Sequence, residues 1–237
     1  MKHLIETANP SGLAITEYDR IILNSATNDV IVRGEANANG HTYVDLGLPS
    51  GLKWATMNVG ATSETDYGYY FQWGSTTSNN NTPCDWEHAP FNGGNTSYNA
   101  NAFNSAKDTA CPNGVLAKEY DAASQIMGGD WRMPTDAEIS ELLSNTDKEW
   151  IEKYNGSAVN GCKFTSKTDT SKYIFIPAAG LRSGSSDGDK YIGHVWSSSL
   201  ITSNPSKAYA FYFEYLNIGL AINGYSRYLG ALVRGVL

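Results

Sequence analysis

Catalysis and metal binding need particular side chains at particular spacings, and the reactive residues of this chain are few and scattered. The four histidines, His3, His41, His88 and His194, share no HxxxH or comparable metal-ligand spacing. Cys84, Cys111 and Cys162 are far apart and odd in number, so neither a CxxC metal site nor a disulfide framework is indicated. One Cys84–Cys111 bridge and three unpaired thiols in loops or core both stand open. Ser197, Ser198 and Ser199 follow Trp196 without the glycines of a GxSxG nucleophile elbow. Ser183 to Asp189 has the oxygen density of a calcium loop but neither its DxDxDG register nor its closing Glu, and reads as a flexible acidic turn. No GxxxxGK[ST] phosphate cradle occurs. The expectation is a protein that is not an enzyme and that uses no metal and no cofactor.

Composition bounds the remaining classes. A chain of 237 residues with 41% apolar residues can bury a substantial core. A net charge of −7 and a pI near 5.0, with no Lys/Arg cluster, argue against a nucleic-acid partner. No apolar run approaches the roughly 18 residues of a membrane span. The opening Met1–Thr7 lacks the apolar stretch of a secretory signal, leaving export by another route or prior removal of a leader. Only 17% of residues are charged and 12% are aromatic, with abundant Gly, Asn, Ser and Thr, which describes a loop-rich protein of extracellular style.

The elements that must position any site are short. Residues 1–38 form a β-rich N-terminal segment, with candidate strands over Ile15–Leu23 and Asp29–Arg33 joined by a polar link. It reads equally as an attachment or oligomerisation segment and as a leading hairpin, and Glu35–Gly40 reads as a linker. A main domain follows over residues 39–237, with strands at Tyr43–Leu46 and Leu52–Val59. Residues 75–115 form a long polar excursion, either functional or an elaborated surface loop. Two helices are legible. One spans Ala117–Met127 and stops at Gly128-Gly129; the other opens at Pro134-Thr135, with Thr135 and Glu138 spaced for a capping box and Ile139, Leu142 and Leu143 facing the core. Tyr173–Gly180 reads as a buried strand, and further strands follow to the C-terminus.

From Tyr191 onward the charged side chains are only Lys207, Glu214, Arg227 and Arg234, while tyrosine appears six times. Period-two alternation puts Tyr209, Phe211 and Phe213 on one strand face and Ala208, Ala210, Tyr212 and Glu214 on the other. It likewise separates Ile218, Leu220 and Ile222 from Asn217, Gly219, Ala221 and Asn223. The ring-rich and aliphatic sets are the buried ones. A solvent face of Tyr, Asn, Gly and Ala lacks the Lys, Glu and Thr that keep ordinary strand faces soluble, and it has the composition of a paratope. Binding surface and structural cover by the excursion or another subunit remain the two readings.

The run Gly128-Gly129-Asp130-Trp131-Arg132-Met133-Pro134-Thr135-Asp136-Ala137-Glu138 resembles the G-x-W-R-[LM]-P-T-x-x-E signature of the formylglycine-generating-enzyme type of C-type-lectin fold. Gly40–Ala55, Tyr67–Gly74, Ile176–Arg182 and Trp196–Ser199 are similar to a bacterial and phage branch of surface-binding proteins. The match covers residues 40–237. The resemblance implies an α+β, C-type-lectin-like fold: two helices packed on short antiparallel sheets, with long loop insertions.

Within that branch, Trp196-Ser197-Ser198-Ser199 and the closing Arg227-x-x-Gly230-x-x-Val233-Arg234 resemble the variable region, here about 191–237, of diversity-generating retroelement proteins. Carried over position by position, the resemblance implies that His194, Leu200, Ile201, Ala210, Tyr212, Asn217, Gly219, Ala221, Asn223, Tyr225, Ser226, Tyr228 and Leu229 are the diversified, ligand-contacting residues. Glu214 falls outside the usual codon scheme. The fold's oxidising enzymes keep reactive cysteines near the C-terminus, whereas none follows Cys162 here. The EPN or QPD and WND motifs of calcium-dependent lectins are also missing. The implied protein recognises a protein or glycan on another cell, from a virion or bacterial cell surface, and an oligomer is possible. A constant adhesin or pilus-tip domain is the runner-up.

Overall fold

The computed structural model describes the backbone of residues 19–24, 29–34, 36–215 and 221–237, and the side chains of 36–215 and 222–237. Short β-prone runs bounded by turn residues become strands throughout. β1 (Asp19–Asn24) and β2 (Asp29–Gly34) pair antiparallel; the expected strand residues 15–18 lie outside the described residues. Ala36–Ala38, expected as linker, forms β3. It hydrogen-bonds to β4 (His41–Asp45), which pairs with β5 (Lys53–Asn58), the two residues Asn39 and Gly40 turning the chain with positive φ.

The excursion is where the sequence reading departs furthest from the structure. After β6 (Phe71–Gln72) it contains helix α1 (Ala100–Ala110), and its asparagines act as internal cross-links. Asn99 caps α1 by accepting from the amides of Asn101 and Ala102, both at 3.1 Å. Asn92, fully buried, donates Nδ2 to the carbonyls of Trp86, Asn95 and Ser97 and accepts from the Asn99 amide. Turn backbone that no ladder satisfies is paired here by side-chain amides. Asn92→Ala is expected to cost about 2 kcal/mol by leaving a cavity at a fully buried side chain and removing the partner of several turn backbone groups, read as a lower denaturant midpoint with an unchanged slope.

The helix expected over Ala117–Met127 divides into a 3-10 turn at Lys118–Tyr120 and α2 (Ala122–Met127). Asp121 is the cause: its carboxylate caps α2 through the Ser124 amide and also accepts from the Met133 amide, which requires an extended backbone at that position. The second helix, α3 (Asp136–Asn145), begins with the capping box Thr135/Glu138, reinforced by a two-pronged Arg132–Glu138 pair at 2.7 and 2.5 Å.

β7 (Thr146–Ile151), β8 (Gly161–Ser166) and β9 (Tyr173–Pro177) form one antiparallel sheet. β10 (Ile192–Leu200), β11 (Lys207–Glu214) and β12 (Ala221–Ser226) form a second. β13 (Gly230–Ala231) pairs with β6, and β14 (Arg234–Val236) closes on β5. The described chain is therefore α+β, with short antiparallel sheets and few helices, and no helix among the described residues is long and apolar enough to cross a membrane. All three cysteines are buried free thiols, so the Cys84–Cys111 bridge is not formed.

The β10–β11–β12 sheet is packed on both faces. Val195, Phe211, Phe213 and half-buried Ile222 enter one core with Phe164, Ile174 and Leu142. Trp196, Ala208, Ala210 and half-buried Tyr225 enter another with Phe71, Trp73, Phe103 and Val233. Where β10 meets β11, Gly193 faces Phe213, and a Cβ built there lands within the Phe213 ring. Gly193→Ala is therefore expected to cost about 2 kcal/mol through overpacking, measured by urea unfolding; an unchanged midpoint would mean that the ring can move aside.

Candidate functional site

The double-sided core determines which part of the second sheet can meet a ligand. On the face that carries Trp196, Ala208 and Ala210, the far end turns up His194, Tyr212 and Glu214 across the β10–β11 pairing. There the packing stops. Tyr212 and Tyr225 are half-buried and Asn223 is exposed. The Tyr225 ring stands edge-on to the His194 imidazole at 4.7 Å, and the Tyr212 ring lies tilted 5.2 Å from it. The Tyr212 hydroxyl donates to the Glu214 carboxylate. Two rings thus roof a histidine that is only 5% exposed and whose Nδ1 has no hydrogen-bond partner. Burial pushes that histidine down to about 4, so it is neutral at physiological pH.

The sequence-derived residues divide accordingly. Tyr212, Tyr225 and Asn223 gather at the open end. Tyr228 lies elsewhere, packed on Trp86 at 5.1 Å, with half-buried Ser226 and Leu229 on either side of it in the chain. Ile201 crosses β12 so closely that a Cβ at Gly224 would strike it. Four expectations of an outward side chain are corrected. Ala208 and Ala210 are fully buried and Leu200 is 4% exposed, because Phe71, Trp73, Phe103 and Val233 pack over that face, while His194 is 5% exposed beneath the Tyr212 and Tyr225 rings. Asn217 and Gly219 lie outside the described residues, as does the side chain of Ala221.

The motif residues are interior braces. The Trp196 indole N–H donates to the Phe71 carbonyl at 2.8 Å, and that of Trp73 to the Ser197 carbonyl at 2.9 Å. Ser198 Oγ donates to the Pro134 carbonyl and Ser199 Oγ to Asp136, tying β10 to the start of α3. Arg234 donates to the carbonyls of Ala55 and Phe175, joining two sheets. Arg227, fully buried, donates Nε to the Pro205 carbonyl at 2.7 Å and Nη1 to the Pro90 carbonyl at 3.3 Å. Its guanidinium sits 4.1 Å above the Phe103 ring, with Trp73, Trp86 and Tyr98 within 6 Å. It therefore pins the excursion to the C-terminal strands.

Thiol chemistry gains nothing from this arrangement. Burial pushes Cys84 and Cys162 up to about 12, keeping both as protonated thiols at neutral pH. Alternation did not single out Tyr215, which lies beside Tyr191 at the end of this sheet, or Trp150 and Glu152, which approach it from β7 and the residue just beyond it. The signal available for them was the pair of tyrosines bracketing the β10–β11 hairpin. No family model, curated protein or solved structure matches the chain.

Proposed function

We propose that the chain is a ligand-binding protein with a C-type-lectin-like fold, of the diversity-generating retroelement kind, whose C-terminal surface recognises a protein or glycan on another cell. On this reading it works by shape and aromatic contact rather than by catalysis, and it is carried on a virion or bacterial cell surface. The observation that carries the reading is a division within residues 194–234. Trp196, Ser197, Ser198, Ser199, Arg227 and Arg234 are buried, while Tyr212, Asn223, Tyr225 and Tyr228 keep exposed area. A surface meant to change needs side chains that can be replaced without loosening the frame, and rigid amphipathic tyrosines beside Asn supply contact area at low entropic cost. The outward row is shorter than alternation suggests, with the site concentrated at the open end and the Tyr228 corner.

Sequencing the 3′ coding end and its flanking DNA across many isolates tests this. The expected result is a second, imperfect copy of that end, with substitutions at the codons of Tyr212, Asn223, Tyr225 and Tyr228 and none at Trp196, Arg227 or Arg234. A single copy with only scattered silent changes would exclude diversification and favour a constant adhesin.

A further inference from the structure

At the edge of the second sheet lies a groove of about 480 Å³, lined by Glu152, Asp189, Tyr191, Ile192, Glu214 and Tyr215. Its rings are unusually open for their size: Tyr191 is 50% and Tyr215 46% exposed, the highest values among the large apolar and aromatic side chains described. They lie 6.0 Å apart, and Trp150 backs Tyr215 at 5.7 Å, so the tyrosines are held by packing rather than free. Among the described residues no salt bridge engages Glu152, Asp189 or Glu214. The neighbouring cation, Lys190, turns inward. Its ammonium donates to the Tyr70 hydroxyl and the Ala179 carbonyl and lies 4.7 Å from the Tyr67 ring centre. The groove thus joins exposed π-faces to three carboxylates without a cation of its own, in a chain of net charge −7.

We infer that this groove receives a basic side chain, best an arginine, presented by the protein partner that docks on the adjoining Tyr212 row. A guanidinium can stack on a tyrosine face while its planar edge meets carboxylates, which a neutral side chain of the same shape cannot do. Glu214 lies in both features, since it accepts the Tyr212 hydroxyl as well as lining the groove. The inference rests on the ligand-binding reading for the presence of a partner, but the groove can be probed alone.

The probe is N-acetyl-Gly-Arg-Gly-amide, with its neutral citrulline counterpart as control, titrated into the full chain carrying 13C-labelled tyrosine rings. The arginine peptide is expected to shift the Tyr191 and Tyr215 signals with about tenfold higher affinity than citrulline, weakening several-fold at high salt. Glu152→Gln, at an exposed residue, and Asp189→Asn, which keeps the oxygen that accepts from the Tyr191 amide, are together expected to abolish that preference. Equal shifts from citrulline, or arginine-induced shifts only at other tyrosines, overturn the inference while leaving the sequencing test of the Tyr212 row untouched.

Discussion

Arg227→Ala is expected to lower stability by about 4 kcal/mol, combining the cavity left by a large, fully buried side chain with two half-buried carbonyls deprived of their donor. For a chain of this size that corresponds to a fall of about 12 °C in melting temperature. Two effects oppose each other at this site. Burying a cation without a carboxylate is costly, and burial lowers the guanidinium to about 10, yet it remains charged at neutral pH. The offsetting contributions are its hydrogen bonds to Pro205 and Pro90 and the four surrounding rings. If these outweigh the desolvation, alanine should also deprotect the amides around Asn92 to hydrogen exchange, because Pro90 and Phe103 lose their common anchor. A melting temperature within about 2 °C of the parent would show that the cage contributes little.

Acid should weaken the protein through His194, by up to about 3 kcal/mol. The folded-state value of about 4 lies below the ordinary histidine value of 6.5, so as pH falls the unfolded chain takes up the proton first. Stability is then lost progressively from about pH 6.5 to about pH 4 and levels off below that, where both states are protonated. The titratable groups facing His194 are Tyr212 and Tyr225, both neutral over this range, and burial alone drives the shift. His88 acts with the opposite sign, since its exposed contact with Asp85 raises it. His194→Gln should flatten the slope of unfolding free energy between pH 4 and 6.5. An unchanged slope in that variant would place the proton uptake elsewhere.

Local signals were legible in the sequence and long-range cover was not. The Thr135/Glu138 capping box and the two strands expected at Tyr43–Leu46 and Leu52–Val59 arise from residues a few positions apart, and all of them form. Alternation correctly separated Phe211 and Phe213 from Tyr212, because a strand has two faces regardless of context. It could not tell that Ala208 and Ala210 would meet Trp73 and Phe103, more than a hundred residues earlier in the chain. Helix α1 escaped notice because its eleven residues bury only Phe103 and Ala110, too little for a stripe. The same limit applies to the site: tyrosine and asparagine content identified the region, while only tertiary packing decided that Leu200, Ala210 and His194 point inward.

The three indole bonds to distant main chain, Trp73 to Ser197, Trp196 to Phe71 and Trp131 to Ala38, span 124, 125 and 93 positions. None can close until the chain has collapsed into nearly its final topology, so loop closure is paid before these contacts return anything. Tryptophan fluorescence during refolding should consequently report the last consolidation step, lagging the helical signal from α1 and α3.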